Sequence, residues 1–298
     1  HVFDSGRLAS ALESASPVRQ LAREACAQRA GAAPAQGREY MKNNRQQILD
    51  FYDGKWHPLV AEYYGHSDYM NYGYWTAETK NQAEACENLI GKLLSMIPDK
   101  NGRILDVACG RGASTRHLLR HYQPSDIVAI NISEKQLKRA SELAPGCTFL
   151  LRDATQLEFP SSSFDNIICV EAAFHFDTRD SFYREAFRVL KPGGCLVTAD
   201  ILGPRSWQRK VPANALQSPG EIADHLAGAG FENVRVIDAT EECWKSFIRH
   251  VRAWPHQERQ AGRMDLATYV RASLFTILFS SLFNFGVRYY LLTSAQKP

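Results

Sequence analysis

Cysteine chemistry is sparse in this sequence. Its seven cysteines (Cys26, Cys86, Cys109, Cys147, Cys169, Cys195 and Cys243) form no CxxC pair and no cluster with histidine at zinc-ligand spacing. That excludes a zinc ribbon or finger, and an odd, scattered set argues against a secreted disulfide framework. The expectation is small buried thiols in a reducing cytoplasm, with no metal site. An excess of one charge is missing too: 35 Lys and Arg against 32 Asp and Glu leave a net charge of +3. A dedicated nucleic-acid binder carries a larger excess gathered on one face, so no nucleic-acid partner is expected. Long apolar runs are also lacking. The most apolar stretch, 272–287, lies between Arg271 and Arg288, is interrupted by Ser, Thr and Asn, and falls short of the roughly 20 residues of a membrane span. A buried helix, not a membrane partner, is the expectation there. The opening residues, HVFDSGRLAS, have neither the basic nor the apolar region of a signal peptide. They begin on His rather than Met, as a tag remnant or a segment cut from a longer polypeptide would.

What is present is the composition of a globular protein, 45% hydrophobic and 22% charged over 298 residues, enough for one large domain or two small ones. Residues 1–38 are rich in Ala, Arg, Gln and Ser and end in GAAPAQG (31–37), which reads as a helical leader and linker. Residues 39–100 are helical in pattern, interrupted by an aromatic cluster from Tyr63 to Trp75. From 101 to 298 strand and helix signals alternate. Strands are expected at 103–109, 126–131, 147–153, 164–172, 195–201, 232–240 and 287–295, with helices between them and a long helical insertion at about 241–285. Ser133 stands ready to cap the helix after the second strand, with Gln136 at capping-box spacing. Alternation of this kind implies an α/β fold with a mostly parallel sheet covered by helices on both faces. The last strand, after its long excursion, is expected antiparallel at the sheet edge.

The sharpest motif is ILDVACGRGAST (104–115), a strand running through a glycine turn into a helix. Gly110 and Gly112 remove the Cβ atoms that would keep backbone away from a ligand at the strand's carboxyl end. A dinucleotide GxGxxG would need a third glycine where Thr115 stands, and no GKS or GKT follows, so dinucleotide and P-loop phosphate binding are disfavoured. Asp106 before CGRG, RDA at 152–154, the RVLKPGG turn and their order together resemble a class I S-adenosylmethionine-dependent methyltransferase, over roughly residues 60–298. The resemblance implies a Rossmann-like seven-stranded sheet with helical lid elements and S-adenosyl-L-methionine as methyl donor, S-adenosyl-L-homocysteine being the product. It implies that Asp106, Gly110 and Gly112 hold the amino-acid end of the donor. Asn131 would face the ribose, where the family usually has an acid. Asp153, with Ala154 behind it, would meet the adenine amino group, and Gln136 and Val170 would complete the donor set. MNYGYW (70–75) resembles the aromatic segment that folds over the donor, which points to Asn71 and Tyr72.

VEAAFHFDTR (170–179) follows the fourth strand, where the family places its catalytic loop. A histidine, with an ordinary pKa of about 6.5, suits a general base at neutral pH. His175 is therefore the expected base. Glu171 is four residues earlier and would share one helical face with it, whereas Asp200, at the end of the fifth strand, is the alternative partner. Hydrophobic residues from Met264 to Phe283 recur at helical spacing and read as core packing or a lid over an apolar acceptor. Arg205, Arg209 and Lys210 form a small basic loop suited to an acidic carrier protein or a substrate phosphate. INIS, EAAFH and NYGYW resemble O-methyltransferases of natural-product pathways. The expectation is methylation of a hydroxyl on a polyketide intermediate held by an acyl carrier protein, with neighbouring polyketide synthase domains. The alternatives are C-methylation of an isoprenoid diphosphate, or O-methylation of a free sugar or other small natural product.

Overall fold

The computed structural model describes residues 45–54, 57–203, 214–283 and 286–298. The expected leader at 1–38 and the basic loop of Arg205, Arg209 and Lys210 lie outside the described residues. The chain divides into two units, 1–47 and 48–298, and the second carries the sheet.

Seven strands form that sheet: β1 (Ile104–Val107), β2 (Ile127–Asn131), β3 (Thr148–Leu151), β4 (Phe164–Val170), β5 (Leu190–Leu202), β6 (Glu232–Asp238) and β7 (Tyr289–Gln296). Their order is β3-β2-β1-β4-β5-β7-β6, parallel from β3 through β5. The order in which strands are added reverses between β1 and β4, which stay parallel, and the carboxyl ends of those two strands therefore open a crevice. Successive residues face opposite sides, as a period of two requires. Ile104, Ile127, Ile168 and Val197 enter one core cluster, while Leu105, Val128, Ile167 and Leu196 enter the other.

β7 departs from the expected edge position. It is antiparallel to β5 along Tyr289–Gln296 and also antiparallel to β6, so it lies inside the sheet. The sequences explain the exchange: β7 is buried on both faces except at its ends, whereas β6 carries exposed Glu232, Asn233, Arg235 and Asp238. A strand of the second kind suits an edge, where charged side chains discourage further pairing.

Helix α1 contributes residues 48–53 to this unit, followed by α2 (Pro58–Tyr63) and α3 (Gln82–Ser95). Leu89, Ile90, Leu93 and Leu94 of α3 enter the first cluster at i, i+1, i+4, i+5 spacing, as one apolar helical face does. After the glycine turn come α4 (Ala113–Leu118) and α5 (Glu134–Leu143), whose cap is the expected one: Ser133 Oγ accepts from Gln136 N at 3.1 Å. Helices α6 (Arg179–Val189) and α7 (Pro219–Gly228) are capped by Thr178 and Ser218, and they cover the second cluster. The insertion resolves into a π-helical turn at Glu241–Lys245, then α8 (Ser246–Gln260) and α9 (Leu266–Phe283). None of the described helices is long and apolar enough to cross a membrane.

The orientation of α9 corrects the core-packing expectation. Ala272, Thr276 and Ser280 form its buried face, while Leu266, Val270, Leu274, Ile277 and Leu278 are exposed. The helix is apolar nearly all round, so periodicity carries no information about which side turns inward. Small residues let the backbone approach its neighbours, and the large ones are left outside. Between the two faces, Phe275 and Phe279 stack at 6.2 Å, and Phe279 meets Phe247 of α8 edge-on at 6.3 Å.

Candidate active site

The site assembles where β1 and β4 end. Gly112 takes φ +89°, a left-handed conformation, and a Cβ built there would lie 2.6 Å from Ala140 Cα of α5. Glycine is required on both counts. Gly110, at φ +56°, is the second turn residue. Asp106 is buried at the crevice floor, where Oδ2 accepts from Ser114 Oγ at 2.8 Å and Thr115 Oγ1 at 2.7 Å. Burial pushes its carboxyl up to about 6, against the opposing pull of those two hydroxyls. The position where a GxGxxG loop would need glycine thus holds a threonine that fastens the acid instead.

Past β2, Asn131 donates from Nδ2 to Gln136 Oε1 at 3.0 Å and to Gly110 O at 3.4 Å, and its Oδ1 accepts from Ile132 N. The amide therefore braces the turn. Gln136 Nε2 and Ser133 Oγ both donate to Asp53 Oδ1, at 3.0 and 2.6 Å. An acid delivered by α1 is thus tied to the same Gln136 amide that Asn131 holds. Past β3, Asp153 Oδ1 accepts from Thr155 N and Oγ1, with Ala154 buried behind it. A pocket of about 200 Å³ opens on this side, lined by Tyr52, Asp53, Asp68, Arg111, Lys135, Gln136 and Arg139. The glycine cradle, the buried Asp106 and the polar strand ends suit a ligand with a charged amino-acid end and a nucleoside end, as S-adenosylmethionine has.

Val170 ends β4, and the chain turns sharply at Glu171, a non-glycine residue at φ +50°. Strain of this kind persists where surroundings over-determine it. Here Glu171 N donates to Ala199 O at 2.8 Å, and Glu171 Oε1 accepts from Tyr72 N at 2.8 Å and Tyr290 Oη at 2.5 Å. Burial pushes the Glu171 carboxyl up to about 8 despite those two donors, so at neutral pH it is chiefly protonated. His175 lies in a 3-10 turn, Ala173–His175, not one helical turn beyond Glu171. Its Nε2 is 2.9 Å from Tyr52 Oη of α1. The expected partnership with Glu171 or Asp200 is therefore corrected, because both carboxylates are engaged elsewhere. Asp200 is fully buried in an ion pair with Arg179, Nε to Oδ2 at 2.6 Å and Nη2 to Oδ1 at 3.3 Å, and also accepts from Ile201 N. Arg179 donates onward to Asn214 O and Ile201 O, and Asn214 Nδ2 holds Phe176 O at 2.7 Å. Asp200 thus secures the loop that carries His175, without reaching it.

The aromatic segment crosses this loop. Asn71 Oδ1 accepts from Gly73 N, and Asn71 O accepts from Gln82 Nε2 and Tyr64 Oη, so Asn71 shapes its own segment. Tyr72 packs edge-on against Trp244 at 4.9 Å and Phe247 at 4.8 Å. Tyr52, Asp53 and Tyr290 escaped the sequence reading. Nothing local distinguishes any of the three: Tyr290 shares its strand with Tyr289, Thr293 and Ser294.

Among the described residues no group of three His, Cys, Asp or Glu side chains is arranged to hold a metal ion. Residues 105–198 match the methyltransferase domain family. The chain is similar to 27-O-demethylrifamycin SV methyltransferase of Amycolatopsis mediterranei, 29% identical over 250 residues that cover 77% of this chain and 90% of that protein. It is also similar to erythromycin 3''-O-methyltransferase of Saccharopolyspora erythraea, 33% identical over 141 residues that cover 45% of this chain and 46%, less than half, of that protein. Among solved structures, geranyl diphosphate C-methyltransferase of Streptomyces coelicolor shares the fold, with a TM-score of 0.62 at 15% identity over 90% of this chain and all of that one. The family match falls on the strand, glycine turn and neighbouring strands that build the cradle, and with these relatives it supports a class I S-adenosylmethionine-dependent methyltransferase.

Proposed function

We propose that this methyltransferase acts on a hydroxyl of a polyketide-type acceptor carried by an acyl carrier protein, with His175 as general base. The observation that carries the reading is the His175–Tyr52 pair, Nε2 to Oη at 2.9 Å, on the loop after β4. The bound donor supplies a methyl already activated on a sulfonium. The protein's work is then to position the acceptor, exclude water and take the hydroxyl proton. His175 takes that proton as the acceptor oxygen bonds to the methyl, and the imidazolium later gives it to solvent. Tyr52 is held in its protonated form chiefly by burial, so its hydroxyl fixes the imidazole by donating to Nε2 until the acceptor enters. Glu171 is a positioning residue: protonated, it keeps negative charge off the acceptor and ties Tyr72 to Tyr290. Asp106, Gly110, Gly112, Asn131, Gln136 and Asp153 line the donor side.

The relatives named for O-methylation of rifamycin and erythromycin support a hydroxyl acceptor. The linker-like composition of residues 1–38 supports the carrier-bound form. The test incubates the protein with donor and with carrier-bound 3-hydroxyacyl, carrier-bound 3-ketoacyl and free-acid acceptors, read by intact-protein mass spectrometry. A mass gain of one methylene on the hydroxyacyl carrier alone is expected. Methylation of carbon in a prenyl diphosphate, or of a free sugar only, would reverse the reading. His175→Ala is expected to slow transfer by about 100-fold or more, the usual worth of a general base, while binding of S-adenosylhomocysteine by calorimetry survives. Full activity in that variant rules out the base.

A further inference from the structure

Tyr63 Oη and Trp244 Nε1 are buried and have no hydrogen-bond partner among the described residues. Tyr63 is 8% exposed and Trp244 2%. A buried donor left unpaired destabilises the fold that contains it, and a phenylalanine of similar shape would avoid that cost. Native interiors keep such groups where a ligand or water completes them. These two flank a single ring. Phe247 meets Tyr63 at 5.9 Å and Trp244 at 6.1 Å, and it also packs on Tyr72, whose backbone N–H holds Glu171. Trp244 is in direct edge contact with Tyr72 as well. Tyr63 also meets the rings of Tyr64 and Trp254 edge-on. Both orphan donors therefore stand in one aromatic wall that runs up to the reacting end of the site. Indole N–H can only donate. The Tyr63 phenol, held well above its ordinary pKa by burial, stays protonated and can donate too.

We propose that Tyr63 and Trp244 are specificity-determining anchors for the acceptor. Two unpaired donors set in a largely aromatic wall select a body that is mostly hydrocarbon but carries oxygens able to accept, such as keto, ether or hydroxyl groups away from the methylated position. A plain hydrocarbon chain would leave both donors unpaired and bind less well. This assignment rests on the acceptor-hydroxyl reading only in placing the acceptor against this wall.

The test measures acceptor binding to the S-adenosylhomocysteine complex by calorimetry, so it does not need turnover. The probes are a 3-hydroxyacyl N-acetylcysteamine thioester bearing a further keto oxygen and its analogue lacking that oxygen. Wild-type protein is expected to bind the keto ester more tightly. Tyr63→Phe is expected to weaken keto-ester binding about fivefold, leave the other ester and S-adenosylhomocysteine unaffected, and raise the thermal midpoint, because an orphan hydroxyl has been removed. Trp244→Phe is the second variant and should lose the same discrimination. Wild-type preference for neither ester, or unchanged discrimination in both variants, overturns the anchors. Methyl transfer to carbon in wild-type assays would instead overturn the hydroxyl reading while leaving the binding result in place.

Discussion

Glu171 and Asp200 are both acids close to the loop after β4, yet packing gives them different partners. Asp200 meets Arg179 across two hydrogen bonds in a fully buried ion pair. Glu171 meets no cation among its described partners, only an amide and a phenol, and burial leaves it neutral. The consequence for stability has a definite sign. The folded value near 8 lies above the ordinary 4.5, so between those pH values the unfolded chain sheds a proton that the folded chain keeps. Glu171 therefore favours folding most below pH 4.5, and its contribution is lost as pH rises toward 8, with a slope of up to about 1.4 kcal/mol per pH unit. Glu171→Gln retains an acceptor for Tyr72 N and Tyr290 Oη and should flatten the fall in urea-unfolding free energy between pH 5 and 8. A slope equal to that of wild type would show that Glu171 ionises normally. His175, Asp106 and the two glycines were legible because each sits in a short motif whose local spacing is its signal. Tyr52 was not: it reaches His175 across 123 residues, and no local pattern encodes that meeting. The expected Glu171–His175 face failed for a related reason. Four-residue spacing places side chains together only in a helix, and this loop turns at Glu171 instead.

Among the elements, α9 and β7 show what periodicity can and cannot report. Seven strands and the capped helices between them were legible because alternation, caps and glycine stops are local. The position of β7 depended on comparing two strands: an apolar one belongs inside and a charged one at the edge. For α9 no comparison was available, since large apolar residues occupy most of its circumference and the small residues that permit close packing look unremarkable in sequence. Its outward face can be checked directly. Leu274 and Ile277 are 58% and 49% exposed, so Leu274→Glu with Ile277→Glu should change stability by less than about 0.5 kcal/mol and leave S-adenosylhomocysteine affinity intact. A fall of several degrees in thermal midpoint would mean that this face is packed.

Across the 48–298 unit, long-range ties join the pieces of the site. α1 is fastened to the start of α5 through Asp53 and to the His175 loop through Tyr52. Arg179, at the first position of α6, links β5 through Asp200 and Ile201 to the Asn214 segment, which in turn holds Phe176. Removing one half of such a buried pair strands the other as an uncompensated charge. Asp200→Ala is therefore expected to cost about 3–5 kcal/mol of unfolding free energy, measured by urea titration, whereas a loss below 1 kcal/mol would show that water relieves Arg179. The amino-acid sequence by itself determined the α/β class, the glycine cradle with Asp106, and the loop carrying His175. These are written in local spacing, and backbone sterics and hydrogen bonding read them without help. Only the tertiary structure decided that Tyr52 partners His175, that Asp200 serves Arg179, that Glu171 stays protonated, and which face of α9 turns inward. Each of those depends on which distant side chain arrives and how much water it displaces, and burial and pairing are properties of the packed chain.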